Sequence, residues 1–218
     1  MRVVILGTGT DVGKTYVTAC LARGLRKHAA VVALKPIESG VAPAVAGDAG
    51  IIAAAAGHAP ALSPWRFPRP VSPHLGAREA GTPIAIASVA AWVREQEQGV
   101  GAPFSLVELA GGAFSPLGPG LTNVDLALAL EPALWLLVAP DALGVLHDVT
   151  ATLRALPRPP DALVLSGSRS RDQSSGSNAR ELASLAIAEV LDVVATGADS
   201  CPTTVQWLLQ HPPFKSRQ

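Results

Sequence analysis

A glycine-rich stretch near the start of the chain ends in residues that could bind a phosphate group. It reads ILGTGTDVGKT over residues 5–15 and closes with Gly13, Lys14 and Thr15. In a phosphate-binding loop, glycines let the backbone approach the phosphate oxygens, and the first N–H groups of the next helix hold the anion. The lysine adds positive charge, and the threonine hydroxyl is a ligand for Mg²⁺. These residue types together indicate nucleotide chemistry.

The spacing of the glycines departs from the usual pattern. In G-x-x-x-x-G-K-[ST] the first glycine would fall on Thr8, whereas the glycines stand on either side of it, at Gly7 and Gly9. The context still fits, because an apolar strand precedes the loop and an uninterrupted helical pattern follows Lys14. On these residues alone, an ordinary strand–turn–helix with an incidental Gly-Lys-Thr stays open as the alternative.

Three further charged residues stand where apolar segments end or begin. Lys35 follows the run VVAL, Glu108 lies at the end of FSLVEL, and Asp48 precedes an alanine-rich helical pattern. Because parallel strands end at the same edge of a sheet, we expect Lys35 and Glu108 beside the phosphate loop. A lysine there can neutralise a γ-phosphate as a point charge, and an unpaired carboxylate such as that of Glu108 would be costly on an apolar strand. Asp48 could equally be a plain helix N-cap.

Short apolar runs alternate with longer helical patterns along the chain. They predict buried strands at 2–6, 31–34, 104–109, 133–139, 161–166 and 191–196. Patterns rich in Ala and Leu predict helices near 14–27, 48–56, 88–98, 123–130, 144–155, 178–189 and 202–210. Such alternation indicates parallel strands joined by helical crossovers. We expect one α/β domain over 1–218, a doubly wound, mainly parallel sheet with helices on both faces, of the phosphate-loop NTPase type.

Three segments carry little predicted regular structure. The proline-rich stretch 63–88 is too long for a plain connection in a compact domain and predicts a functional loop. The polar run SGSRSRDQSSGSN, residues 166–178, follows a strand and predicts a mobile loop. The end of the chain, about 211–218, predicts a frayed terminus.

Composition excludes several classes of partner. The 218 residues are 49% hydrophobic and 16% charged, and the 17 basic and 17 acidic residues give a net charge of zero, so nucleic acid or an anionic membrane is not the expected partner. Cys20 and Cys201 are the only cysteines, which favours a reducing, cytoplasmic setting. The longest apolar region, 126–146, is interrupted by charges and prolines, so no membrane span is predicted.

Five short motifs together resemble those of dethiobiotin synthetases. GTGTDVGKT is similar to that family's G-T-[DG]-T-x-V-G-K-T, which has the same extra residue in the loop. KPIESG, GDAG, SPH and VELAGG then follow in the family's order, at 35–40, 47–50, 72–74 and 107–112. The resemblance extends from residue 3 to about 148, beyond which only the strand spacing is similar.

The resemblance implies an ATP-dependent ring closure. Members of the family make dethiobiotin from 7,8-diaminononanoate, CO2 (or bicarbonate) and ATP with Mg²⁺, in an active site shared across a homodimer. CO2 forms a carbamate on one amine, the carbamate oxygen takes the γ-phosphoryl group, and the second amine displaces phosphate. No enzyme nucleophile is needed, so catalysis rests on positioning and on cations near the transferring group.

The resemblance also implies roles for individual residues. It assigns catalysis to Lys35, Lys14 and Thr10. It assigns nucleotide binding to Asp11, Val12, Gly13, Lys14, Thr15, Tyr16, Asp48, Glu108, Leu109, Ala110, Gly111, Gly167 and Ser168. Substrate contacts fall on Ser39, Thr10, Gly144, Val145, Leu146 and His147. The Mg²⁺ ligands are Thr15, Asp48 and Glu108.

Several positions depart from the family pattern. Leu109 replaces the first glycine of E-G-A-G-G, and His147 and Asp148 replace the asparagine and histidine of L-G-x-x-N-H, where the partner subunit would hold the substrate carboxylate. An asparagine that commonly reads adenine is missing, and Gly167 stands near its place. Glu38 occupies the variable position of KPIESG, and we expect it to be exposed.

Two histidines do not indicate a metal site. His58 has no second ligand at a suitable spacing and is expected at the surface, and His74, in the SPH motif, is expected to line the substrate cleft.

Two other functions remain as alternatives. One is a related ligase, such as a cobyrinate-type synthetase, although that family usually carries a glutaminase domain that 218 residues cannot include. The other is a partitioning-type ATPase, which would carry a signature lysine inside the loop. Thr8 and Gly9 occupy that region here, and Lys14 is the only lysine of the loop.

Overall fold

The computed structural model describes residues 1–42, 45–167 and 171–211, and its centre is a six-stranded parallel sheet. The sheet order is β10-β9-β8-β1-β5-β2. Its strands are β1 (Arg2–Gly7), β2 (Val31–Leu34), β5 (Phe104–Glu108), β8 (Leu134–Pro140), β9 (Ala162–Ser166) and β10 (Asp192–Val194). All six predicted strands are confirmed. Two small pairs complete the strands, β3 (Ile37–Ser39) with β4 (Trp65–Phe67) and β6 (Pro116–Gly118) with β7 (Leu121–Thr122).

Helices cover both faces of the sheet. They are α1 (Lys14–Leu25), α2 (Gly47–Ala56), α3 (Pro73–Ala80), α4 (Ile86–Val100), α5 (Asn123–Ala129), α6 (Val145–Ala155), α7 (Asn178–Ser184) and α8 (Pro202–Gln210). Because strand side chains alternate between faces, Val4 and Leu6 belong to the core cluster that also contains side chains of α4 to α7. Val3 and Ile5 belong to the other cluster, which contains side chains of α1, α2 and α8. This arrangement confirms the predicted doubly wound fold.

The segment 63–88 is more regular than predicted. It contains β4 and α3, and α4 begins within it. Trp65 and Phe67 are buried because β4 pairs in parallel with β3 and packs into the core. Pro73, interpreted as part of an irregular run, lies in the first turn of α3, where the missing N–H of proline costs no hydrogen bond. The proline-rich composition therefore concealed a strand and a helix start.

Two of the segments predicted to lack regular structure lie partly outside the described residues. The predicted frayed tail lies outside the described residues from 212 onward, as do 168–170 of the predicted mobile loop. Among the described helices, none is long and apolar enough to cross a membrane.

The carboxyl ends of β1, β2 and β5 meet at one edge of the sheet. β5 lies between β1 and β2, with Ile5 opposite Glu108 and Leu34 opposite Val107. The loop after β5 is fixed from below by Asn123, whose fully buried amide donates hydrogen bonds to the carbonyls of Ala110 and Gly112. Asn123 therefore holds the loop after β5 in place at this edge of the sheet.

Replacing Asn123 tests how much its two hydrogen bonds to the loop after β5 stabilise the fold. We expect Asn123→Ala to lower the free energy of unfolding by about 1–3 kcal/mol, because two buried carbonyls lose their donor. Urea denaturation measures the change, and Gln98→Ala, at an exposed amide on α4, should stay within about 0.5 kcal/mol. Equal losses in both variants would contradict the role of Asn123.

Candidate active site

The loop between β1 and α1 wraps around the side chain of Lys14. The Lys14 ammonium donates to the carbonyl of Gly9 at 3.1 Å, and a Cβ atom at Gly7 would lie 3.0 Å from the same Nζ atom. Glycine at position 7 therefore leaves the room in which the lysine folds back over the loop. Gly13 adopts a left-handed conformation, with φ of 91°, and is the N-cap of α1. The altered glycine spacing thus still gives a lysine and a helix N-terminus at the same point.

Four polar side chains converge beside this loop. The ammonium of Lys35 lies 2.8 Å from Oε1 of Glu108 and also pairs with Oδ2 of Asp48. The hydroxyl of Thr15 donates to the same Oε1 of Glu108 at 2.7 Å. The structure thus brings together the predicted catalytic lysine and all three predicted metal ligands.

Burial and pairing set the charges of the cluster. Burial alone would lower the pKa of Lys35, but the neighbouring carboxylates of Glu108 and Asp48 raise it above its ordinary value. For Asp48, burial would raise the pKa, and the pairing with Lys35 lowers it instead. Burial lowers the pKa of Lys14 to about 8, against the opposing charge of Glu108. Lys35 and Asp48 are therefore firmly charged at neutral pH, whereas Lys14 titrates close to it.

A cavity of about 650 Å³ opens over this cluster. The predicted site residues that line it are Thr10, Asp11, Gly13, Lys14, Thr15, Tyr16, Lys35, Ser39, Asp48, Glu108, Ala110 and Gly111. The hydroxyl of Ser39 is buried and has no hydrogen-bond partner among the described residues. A polar atom of this kind fits a site that receives a polar ligand.

The remaining predicted residues lie elsewhere. Val12 and Leu109 are buried in the two core clusters, so the side chain that replaces a family glycine at 109 points away from the cavity. The predicted substrate residues Gly144, Val145, Leu146 and His147 form the start of α6, outside the cavity wall. Gly167 follows β9, also outside that wall, and Ser168 lies outside the described residues.

Two predictions about carboxylates were wrong. Glu38 was expected to be exposed, but it is 4% exposed and lines the cavity, because Arg66 and the backbone N–H of Asp48 supply its partners. The alternative of Asp48 as a plain N-cap also fails. The N-cap of α2 is Ala46, and the side chain of Asp48 reaches Lys35 instead.

His74 and His58 do not lie where they were predicted, and the cavity wall contains one residue that no motif indicated. The wall includes Ser72 and Pro73 of the SPH motif but not His74, whose Nδ1 lies 3.0 Å from the hydroxyl of Ser72. His58 is half-buried, and its Nε2 accepts a hydrogen bond from the backbone of Ala33 in the edge strand β2. Ser115 also lines the cavity, and no motif marked it.

The oxygen atoms of the cluster fit Mg²⁺. Oε2 of the fully buried Glu108 has no hydrogen-bond partner among the described residues. Mg²⁺ prefers hard oxygen ligands and usually keeps water or phosphate oxygens in its shell, so two carboxylates and a hydroxyl suffice. No group of three or more His, Cys, Asp or Glu side chains that could hold a metal is found in the ranges that the structure describes. Asp48, Glu108 and Thr15 would leave the other positions around Mg²⁺ to water and phosphate oxygens.

Comparisons with known proteins identify the family. A family model described as an AAA domain matches residues 1–196. The ATP-dependent dethiobiotin synthetase of Methylobacterium nodulans is 37% identical over 164 residues, which cover 67% of this chain and 71% of that protein. The chain belongs to the dethiobiotin synthetase family.

Other members of this family differ in how much of their length is matched. The ATP-dependent dethiobiotin synthetase of Streptomyces avermitilis is 34% identical, with 89% of this chain and 84% of that protein covered. That of Rhodococcus jostii is 42% identical over 157 residues, which cover 70% of this chain and 66% of that protein, just under two thirds.

Solved structures show the fold alone. The signal recognition particle receptor FtsY of Elizabethkingia anophelis has a TM-score of 0.63 at 15% identity, and covers 94% of this chain and 64% of that one. The MinC:MinD cell division complex of Aquifex aeolicus has a TM-score of 0.57 at 16% identity, with 98% of each chain covered. These similarities support the phosphate-loop NTPase fold of this dethiobiotin synthetase family member and do not extend to function.

The lowered pKa of Lys14 gives a testable pH dependence. In the protein without bound nucleotide, Lys14 loses its proton and its charge above about pH 8. Nucleotide affinity measured without added Mg²⁺ should therefore fall by up to about tenfold per pH unit above that value. Calorimetric titration with ADP between pH 7 and 9.5 measures this. Lys14→Arg keeps its charge over that range and should show no such fall. A constant affinity of the wild-type protein for ADP across this pH range would contradict a lowered pKa of Lys14 in the nucleotide site.

Proposed function

We propose that this chain catalyses the ATP-dependent carboxylation and ring closure of 7,8-diaminononanoate to dethiobiotin. The observation that carries the proposal is the position of Lys35, held by Glu108 and Asp48 in the cavity beside the phosphate loop. The names of the relatives and the order of the five motifs support the same reaction.

The reaction needs fixed positive charge more than it needs a nucleophile. A carbamate oxygen and a γ-phosphate are both anionic, so the barrier falls when preorganised cations face the oxygens that carry the charge. Lys14 supplies one cation from the loop, and Lys35 supplies another from the end of β2. Both line one cavity, so carbamate and γ-phosphate can lie between them.

Other residues hold the reactants. Thr10, from the loop after β1, and Ser39, at the end of β3, both line the cavity. The Ser39 hydroxyl, which has no hydrogen-bond partner among the described residues, suits a contact with the substrate amine or carbamate. Thr15, Asp48 and Glu108 would hold Mg²⁺, which when bound neutralises charge on the triphosphate. Glu108 lies fully buried at the end of β5, so the position of its carboxylate is fixed.

We further propose a homodimer that works in the cytoplasm. The start of α6 lies outside the cavity wall, and Leu143 beside it is 85% exposed, so this element is open to contact with a second subunit. A helix N-terminus favours an anion, so this element suits the carboxylate of a substrate bound to the partner. The two buried, free cysteines fit a reducing compartment.

One assay tests the proposed reaction. Purified protein is mixed with diaminononanoate, bicarbonate, ATP and Mg²⁺, and dethiobiotin is measured by mass spectrometry. We expect product only when all four are present, with release of ADP and phosphate in equal amounts. ATP hydrolysis that does not depend on diamine or bicarbonate, without dethiobiotin, would contradict the proposal and favour a switch ATPase.

Lys35 can be tested by removing its charge alone. Lys35→Gln removes the charge and keeps an amide donor for the carboxylates, so its melting temperature and its affinity for ADP are measured first to show that the variant folds and still forms the site. Loss of an electrostatic group of this kind costs about 2.7–4 kcal/mol of transition-state stabilisation, or about 100- to 1,000-fold in kcat. Lys27→Gln, at an exposed lysine, is the matched control and should keep full activity. Near-normal kcat in Lys35→Gln would remove Lys35 from the mechanism.

The dimer can be tested in solution. Light scattering at micromolar concentration should give twice the chain mass, and Leu143→Asp should weaken both association and turnover if α6 contributes to the partner's site. A monomeric protein with full activity would contradict this part of the proposal.

We expect a weak preference among nucleotide bases, because the asparagine that commonly reads adenine in the family is missing. The N–H of Gly167 already donates to the carbonyl of Val194 at 2.8 Å, and its carbonyl accepts from the hydroxyl of Thr196. Because the triphosphate contacts do not depend on the base, CTP or GTP should support turnover within about 1 kcal/mol of ATP, less than one good bidentate contact would give. Values of kcat/KM for ATP, CTP, GTP and UTP decide this. A strong preference for ATP would show that adenine is read elsewhere, for example by the 166–178 loop or near Ala198.

A further inference from the structure

Glu38 is a buried carboxylate that contacts the helix carrying Asp48. Its Oε1 accepts a hydrogen bond from the backbone N–H of Asp48 at 2.5 Å. Its Oε2 lies 3.4 Å from Nε of Arg66, its partner across the β3–β4 pair. Both carboxylate oxygens are therefore occupied by donors from the chain, although Glu38 also lines the cavity.

The start of α2 lacks a cap of its own. Ala46 stands at the N-cap position and has no side chain that could accept a hydrogen bond from the first turn. The carboxylate of Glu38, in β3, accepts the hydrogen bond that a cap side chain would otherwise accept. Its negative charge is also favourable at a helix N-terminus. Glu38 therefore fixes the first turn of α2 against β3.

The close approach depends on Gly47. This residue has a φ of +59°, and a Cβ atom there would lie 2.4 Å from Oε1 of Glu38. Any larger residue would push the carboxylate away from the backbone of Asp48. On the other side, Arg66 also donates to the carbonyl of Val45, so it ties the chain before α2 to the same carboxylate.

We propose that Glu38 is a positioning residue for the metal and phosphate site. It holds the backbone of Asp48, so the Asp48 carboxylate stays against Lys35 and toward the cavity. This inference rests on the proposed function only for the identity of the reaction, because nucleotide and Mg²⁺ binding can be measured without the diamine. Groups that orient a metal ligand in this way typically change metal affinity by about 10- to 100-fold when removed.

The test measures the Mg²⁺ concentration needed for tight ADP binding, by calorimetry and without diaminononanoate. We expect Glu38→Met, which keeps the length of the side chain but has no acceptor, to raise that concentration by about 10-fold or more. Binding of ADP without Mg²⁺ should not change. Glu38→Gln should stay within about threefold of the wild type, because the amide oxygen can accept the same hydrogen bond. Glu79→Met, at an exposed carboxylate paired with Arg69, is the control and should match the wild type.

A second variant covers the case in which Glu38→Met does not fold. Gly47→Ala keeps Glu38 but places a methyl group where its carboxylate lies, and it should also raise the Mg²⁺ requirement. Wild-type Mg²⁺ dependence in folded Glu38→Met, or in Gly47→Ala when the first variant is unfolded, would overturn the proposal. A lower melting temperature with unchanged Mg²⁺ dependence would show a purely structural role. Failure to make dethiobiotin would leave these binding results intact.

Discussion

The ammonium group of Lys35 lies between the carboxylates of Glu108 and Asp48, and the rest of the site depends on this pairing. Removing an ion from water costs several kcal/mol, and only close opposite charges offset that cost. Glu108 is fully buried and Lys35 nearly so, which leaves each fixed in place by the other. A cation held in this way needs no reorganisation when charge develops on a transferring phosphoryl group.

The fold satisfies this constraint by ending three strands at one edge. β1 leads into the loop that holds Lys14, β2 ends before Lys35, and β5 ends with Glu108. Asp48 comes from α2, whose first turn is fixed by Glu38 from the strand that follows Lys35. Charges from four parts of the sequence therefore meet at this edge of the sheet.

Much of this arrangement could be predicted from the sequence, because buried parallel strands leave continuous apolar runs and their carboxyl ends share an edge. That rule places Lys35 and Glu108 near the phosphate loop. It cannot place Glu38, since its burial depends on Arg66, 28 residues away, and on the backbone of Asp48, 10 residues away. The strands β3 and β4 have three residues each, too few for a periodic pattern, and Pro73 concealed the start of α3.

The proposed reaction requires that a carbamate formed in this cavity accepts the γ-phosphoryl group of ATP. The most direct measurement follows oxygen from ¹⁸O-bicarbonate, freshly mixed with diaminononanoate, ATP and excess enzyme in a single turnover. Because the second amine displaces the phosphorylated carbamate oxygen, the phosphate released with dethiobiotin should carry one ¹⁸O atom from bicarbonate. Mass spectrometry of the phosphate gives the answer. Phosphate without the label, formed at the same rate as labelled dethiobiotin, would contradict the account.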